Sequence, residues 1–160
     1  PWPEQLTALG VDEPVECLRR YPKVSFVRYD GWLFPFEDRQ FDVAHSNAVL
    51  EHVGGRERQS RFVREMLRVA RCVWLTTPSR AFPIDVHTLI PFAHWFPARV
   101  RDTVYAGLGK SWAAGGYLNL LYRHELESLF VGTSVERCTI VTNRVAFLPL
   151  EYVVVVDRRV

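Results

Sequence analysis

Cysteine is scarce. Cys17, Cys72 and Cys138 are the three in 160 residues; they are odd in number and far apart. That spacing excludes a disulfide framework and points to a reducing, cytoplasmic setting. No CxxC pair or Cys/His cluster offers a zinc site. No apolar run approaches the about 20 residues that a spanning helix needs; Tyr152 to Val156 is typical of the runs present. Charge of one sign is lacking too. Twenty Lys and Arg against eighteen Asp and Glu leave a net charge of +2, too little to imply a nucleic-acid partner. No loop carries glycines in a G-x-G-x-G pattern: Gly10 stands alone, and Gly54-Gly55 and Gly115-Gly116 are isolated pairs. No signal-peptide pattern, internal repeat or low-complexity stretch is present. The chain starts at Pro1-Trp2-Pro3-Glu4 without a Met, so its N-terminus reads as incomplete.

What remains is an ordinary domain composition, 48% apolar and 24% charged, of a length that suits one domain over residues 1–160. Leu6 to Val11 reads as a short strand. Asp12-Glu13-Pro14 opens a helix to about Tyr21, with Pro14 where a missing N–H costs nothing, and Pro22 closes it. Val24 to Tyr29 and Phe41 to Ser46 read as strands, Glu57 to Arg71 as the strongest helix, and Val73 to Thr77 as a buried strand ended by Pro78. Such alternation predicts right-handed parallel crossovers. Pro83, Pro91 and Pro97 then break the pattern across 79–122, where Ala98 to Leu108 is the one clear helix. Arg123 to Phe130 predicts a shorter helix. Strands at Val135 to Val141 and Tyr152 to Asp157, joined through Asn143 to Leu150, suit an antiparallel edge.

The Arg-rich run Arg56 to Arg71 invites a nucleic-acid reading. Phe62, Val63, Met66, Leu67 and Ala70 fall at helical spacing, however, which leaves the arginines on the opposite face. Glu57 with Arg61 and Arg61 with Glu65 are four apart, so the run predicts a solvated, ion-paired helix face.

Most informative is VSFVRYDGWLFPFEDRQFDVAHSNAVLEHV, from Val24 to Val53. Two strand-like segments end in Asp30 and in Ser46-Asn47, at the carboxyl edge where open α/β sheets bind ligands. Asp30-Gly31, a Pro35-Phe36-Glu37-Asp38 loop and SNAVLEHV follow in the order found in class I S-adenosylmethionine (SAM)-dependent methyltransferases of the UbiE-like, type 11 kind, which this stretch resembles. The resemblance implies an α/β, doubly wound, mostly parallel Rossmann-like sheet with an antiparallel C-terminal edge. It lacks one family feature, the first strand with its E/D-x-G-x-G-x-G loop. In the family that strand is central, between those assigned here to Leu6–Val11 and Phe41–Ser46. Its loss removes a strand of about five residues and hydrogen bonds of about 1 kcal/mol each. Self-association, or an N-terminal segment outside the sequence, is therefore expected to complete the sheet.

The resemblance also implies roles. Asp12 would accept hydrogen bonds from the ribose hydroxyls; the alternative is a helix-terminal acid favoured by the dipole. Asp30, Gly31 and Trp32 correspond to the adenine-contacting position; the alternative is an Asp-Gly turn. Ser46, Asn47 and Ala48 would flank the methionine moiety. His52 would lie near methyl transfer as a catalytic group that orients or deprotonates an acceptor, or else pack at the next helix. His45 should point away from Ser46, to core or interface. Residues 79–122 would form a substrate-covering insertion, with Arg80, His87 and Trp95 as substrate residues and Trp95, Phe96 and Trp112 as walls of an apolar pocket. His87 and His94 have only Asp85 nearby as a third ligand, so no metal is assigned. Taken together, these residues imply transfer of a methyl group from SAM to a small-molecule or lipid-like acceptor, weak in this chain without the glycine-rich loop. The rival reading is a non-catalytic, methyltransferase-like protein-binding module; a nucleotide-dependent oxidoreductase fits less well.

Overall fold

A computed structural model describes residues 5–133, 135 and 137–157; Pro1 to Glu4 and the side chain of Cys17 lie outside it. The strands fall into two groups. β1 (Thr7–Gly10) pairs in parallel with β2 (Ser25–Arg28), and α1 (Val15–Arg20) crosses between them. The second sheet runs β3-β4-β6-β5, built from β3 (Phe41–Asn47), β4 (Ala70–Pro78), β5 (Cys138–Val145) and β6 (Leu148–Asp157). β3 and β4 are parallel with Phe41 opposite Ala70, whereas β6 runs antiparallel to both β4 and β5. The expected class of sheet, parallel with an antiparallel C-terminal edge, is the one observed.

The crossover from β3 to β4 is α2 (Arg56–Val69). Its apolar stripe holds, as Val63, Met66, Leu67 and Val69 are buried. They pack on Val73 and Leu75 of β4 and on Val154 and Val156 of β6, in one core that also takes in Leu50. Burial of each such side chain favours the fold by about 1.5–3 kcal/mol. The polar face differs from the expected one. Glu65 is buried rather than solvated, and its ion pair is with Arg68 one turn on, not with Arg61. Arg58 and Arg61 lie over the ring of Trp32, with guanidinium carbons 4.6 and 5.5 Å from its centroid.

The C-terminal strands need a second correction. β5 starts at Cys138 and runs on to Val145, and β6 starts at Leu148, so most of the expected connection is hairpin. The turn is two residues, Ala146-Phe147, with Ala146 at φ +54°. Two-residue hairpins need positive φ there, but no Gly or Asn marks this one in the sequence. Residues 134 and 136, at the start of the strand expected from Val135, are outside the described set.

The segment 79–122 leaves and returns at one place, with Ser79 bridging Leu121. Ala93, Tyr105, Ala113 and Leu118 give it a small core of its own, around α3 (Ala98–Gly107). α4 (Arg123–Ser128) follows directly. Of the aromatics expected to wall a pocket, Trp95, Phe96 and Trp112 keep 43, 47 and 50% of their surface.

Candidate active site between the two sheets

β1 and β3 each present an edge with no strand neighbour among the described residues. Between these edges is a cavity of about 750 Å³, within the roughly 300–1,000 Å³ range of small-molecule sites. Its walls include Leu9 and Gly10 of β1, Gly31 and Phe34 of the loop after β2, Ser46 of β3, and Phe62 and Met66 of α2. Only Gly31, at φ +82°, is conformed as a residue without Cβ prefers.

Chain reversal at the end of β3 sets the polar part of the site. Ala48 takes φ +51° while its N–H donates to the Thr76 carbonyl at 3.1 Å. Leu50–His52 then forms a single 3₁₀ turn. The side-chain amide of Gln59, on α2, donates to the carbonyls of Leu50 (3.3 Å) and Asn119 (2.8 Å), fixing this turn to the inserted segment. Glu51 is thereby driven fully inside. Its Oε2 accepts from Thr77 Oγ1 at 3.0 Å, and its Oε1 has no hydrogen-bond partner among the described residues.

His52 meets His87 here, Nε2 to Nε2, at 3.1 Å, with Tyr117 beside the His52 ring. His87 Nδ1 faces Asp85 Oδ1 at 2.9 Å. Asp85 Oδ2 accepts from the backbone N–H and hydroxyl of Thr88. Burial pushes the Asp85 pKa up, but those hydrogen bonds from Thr88 and His87 outweigh it and hold the carboxyl below its ordinary range.

Other expected residues are distributed as follows. Ser46 is buried on the cavity wall, and its Oγ has no hydrogen-bond partner among the described residues. Asn47 lines the cavity too, and its Oδ1 accepts from Thr76 Oγ1. Asp12 is exposed on the bend after β1, beyond the walls that Gly10 and Val11 supply. Asp30 Oδ1 accepts the N–H groups of Trp32 (2.8 Å) and Leu33 (3.2 Å), which hold its pKa down. That is the turn reading of Asp-Gly; Gly31 reaches the cavity, while Trp32 stacks with arginines. His45 is exposed and borders the cavity instead of entering core.

Of the three residues expected at substrate, only His87 joins His52. Arg80 lies over Tyr122 and lines a smaller polar cavity of about 210 Å³ with Arg56 and Arg101. The Trp95 indole N–H donates to the Arg80 carbonyl at 2.6 Å. Sequence reasoning gave Glu51 no role and sought partners for His87 close by in sequence. Asp85 does meet His87 Nδ1, but the partner of His87 Nε2 lies 35 residues upstream, a proximity that only the β3–β4 crossover creates.

Residues 4–72 match the family model described as a methyltransferase domain. No curated protein matches the sequence. Among solved structures, a SAM-dependent methyltransferase from Methanosarcina mazei is 16% identical, with TM-score 0.56 over 95% of this chain and 81% of that one. A SAM-dependent methyltransferase from Thermotoga maritima, described as a possible histamine N-methyltransferase, is 12% identical, with TM-score 0.58 over 96% and 73%. The CurJ carbon methyltransferase is 15% identical, with TM-score 0.55 over 96% of this chain; the chain spans 41% of its length.

Proposed function

From a chain with the class I methyltransferase fold, matched over residues 4–72 by the methyltransferase domain family, we propose a SAM-dependent methyltransferase whose cofactor occupies the cavity between β1 and β3. The observation that carries this reading is Ser46. A buried hydroxyl without a partner costs free energy unless something bonds to it, and this one is at the wall of a ligand-sized cavity at the carboxyl end of a strand. A polar ligand there would satisfy it. Gly31 allows close approach of a flat ring, and Leu9, Phe34 and Phe62 offer apolar surface. Asp12 and Asp30 would reach the ligand only from the cavity mouth.

When bound, SAM supplies a methyl group on a positively charged sulfur. Transfer of that group needs alignment more than acid–base chemistry. The protein's part is to hold the acceptor beside Ser46, Asn47 and Ala48, where His52 and His87 stand. The acceptor is a small or lipid-like molecule; the half-exposed Trp95, Phe96 and Trp112 of the 79–122 segment support an apolar covering surface for it. A strand from a second copy, or from a segment outside this sequence, would pair with the open edges of β1 and β3 and complete one continuous sheet.

Those open edges also favour a second reading, a protein-binding module that gains its partner by strand addition. Calorimetric titration with S-adenosylhomocysteine separates the two. Saturable one-to-one binding, followed by methyl transfer in an acceptor screen, is expected of the enzyme. A folded chain that gives no heat and no ligand-dependent rise in melting temperature would sink the cofactor reading and leave the module.

A further inference from the structure

We propose that Glu51, His52 and His87 form a binding site for a divalent transition-metal ion of the Zn²⁺ class. Three donor atoms converge. His52 Nε2 and His87 Nε2 are 3.1 Å apart, and Glu51 Oε1 is 3.6 Å from the second and 3.9 Å from the first. The point equidistant from all three lies about 2.1 Å from each, the length of Zn–N and Zn–O bonds. These three residues are also the cluster among the described residues with metal-ligand proximity.

The state of Glu51 is the independent sign of a ligand. Its side chain is completely buried, Thr77 satisfies Oε2, and Oε1 has no hydrogen-bond partner while aimed at the two imidazoles. Burial of a carboxylate oxygen without a partner is costly, and a cation between the three groups removes that cost.

Tautomers point the same way. Asp85 accepts the Nδ1–H of His87, so neutral His87 presents its Nε2 lone pair toward Glu51 and His52. A carboxylate behind a ligating histidine is the arrangement that orients such ligands and raises their basicity. Asp85 is itself fixed by Thr88. Two imidazoles and one carboxylate suit Zn²⁺ or a neighbouring transition ion, not Mg²⁺ or Ca²⁺, which favour all-oxygen shells. The His52 and His87 side chains keep 25 and 19% exposure, so a fourth position stays open, as in catalytic rather than structural sites. An oxygen of the acceptor would take it and be acidified there; that consequence rests on the methyltransferase reading, whereas the ion site does not.

The test is metal binding by the 160-residue chain itself, stripped with chelator and titrated with ZnCl₂ and then MgCl₂, in the absence of SAM. One Zn²⁺ per chain is expected, with no comparable Mg²⁺ binding and with visible absorption of a four- or five-coordinate centre on Co²⁺ loading. His87→Ala and Glu51→Gln should each weaken Zn²⁺ at least 100-fold. Asp85→Asn, whose amide would donate to Nδ1 and turn a proton onto Nε2, should weaken it about 10–100-fold. His124→Ala, an exposed residue elsewhere, should not change it. If Glu51→Gln unfolds, as judged by circular dichroism, His87→Ala carries the test, because its ring is partly exposed. Absent one-to-one binding, or binding undiminished in His52→Ala/His87→Ala, overturns the site and leaves a hydrogen-bonded histidine pair. Titration with S-adenosylhomocysteine is separate, so failure of either reading shows by itself.

Discussion

Both carboxylate oxygens of Glu65 meet Arg68, Oε1 with Nε at 2.9 Å and Oε2 with Nη2 at 2.7 Å. Oε2 also accepts the Phe34 N–H at 2.9 Å, while Arg68 donates to the carbonyls of Phe34 and Phe36 and to Asp38. One residue pair thus ties the loop after β2, a wall of the cavity, to α2. Burial raises the Glu65 pKa, but hydrogen bonds and charge from Arg68 and the Phe34 N–H lower it more, to a net value below the ordinary one. Its stabilisation is therefore present above the unfolded carboxyl pKa and is lost as pH falls through the folded one. Glu65→Ala should cost about 2–3 kcal/mol in urea denaturation and weaken S-adenosylhomocysteine by loosening the wall. Unchanged stability would mean that the pair is ornamental.

Ser46→Ala separates fold from ligand. The hydroxyl is buried and unpartnered, so removing it should leave stability unchanged or raise it by up to about 1 kcal/mol. Cofactor binding should nevertheless fall by about 3- to 10-fold, the value of one hydrogen bond. Parallel denaturation and titration check both halves; a variant that binds as tightly as the parent removes Ser46 from the site.

Gly31→Ala should lower stability and binding together, for backbone reasons. At φ +82° an L side chain is strained by about 1–2 kcal/mol, although the added Cβ would meet Val11 Cγ1 at 3.6 Å and Arg58 Nη1 at 3.9 Å, both ordinary contacts. The melting temperature should fall while β1 and β2 remain paired, and the cavity wall should shift enough to weaken the ligand. A variant as stable as the parent would show that this turn relaxes freely.

Strand positions, crossovers and the α2 stripe were legible because periodicity in the sequence is local. Val63, Met66 and Leu67 announce the buried face of α2 by spacing alone. Ser46 was legible as a strand-end residue, and its position on the cavity wall follows from topology. The hairpin at Ala146 was not legible, since its positive φ has no Gly or Asn to signal it. Nor was Glu65, whose burial depends on a backbone N–H 31 residues away. His52, His87 and the nearness of Asp85 to His87 were named from the sequence, but the contact between His52 and His87 and the part of Glu51 stayed hidden for the same reason: the two halves flank a helix and a strand, and no spacing rule links them.

His94 should make stability depend on pH from about 6.5 downward. It is 5% exposed, and its Nε2 lies 3.1 Å from the Arg80 carbonyl, to which it donates. Nδ1 is buried with no hydrogen-bond partner among the described residues. Burial pushes the pKa below the ordinary histidine value, against weaker opposing effects from the Arg80 carbonyl, the Asp85 charge and the Phe82 backbone. Unfolded histidine titrates near about 6.5. Between that value and the lower folded one, the unfolded chain holds a proton that the folded chain does not, so stability rises with pH across this window. The contribution is complete above the unfolded pKa and is lost as pH falls through it. Glu65 and Asp85 act in the same direction but only nearer the carboxyl range, which keeps the two effects apart. Thermal denaturation of the parent and of His94→Gln at pH 7.5, 6.0 and 5.0 measures the difference. The parent should lose more stability than the variant between pH 7.5 and 5.0; parallel losses would mean that His94 takes up its proton in the fold as easily as in the unfolded chain.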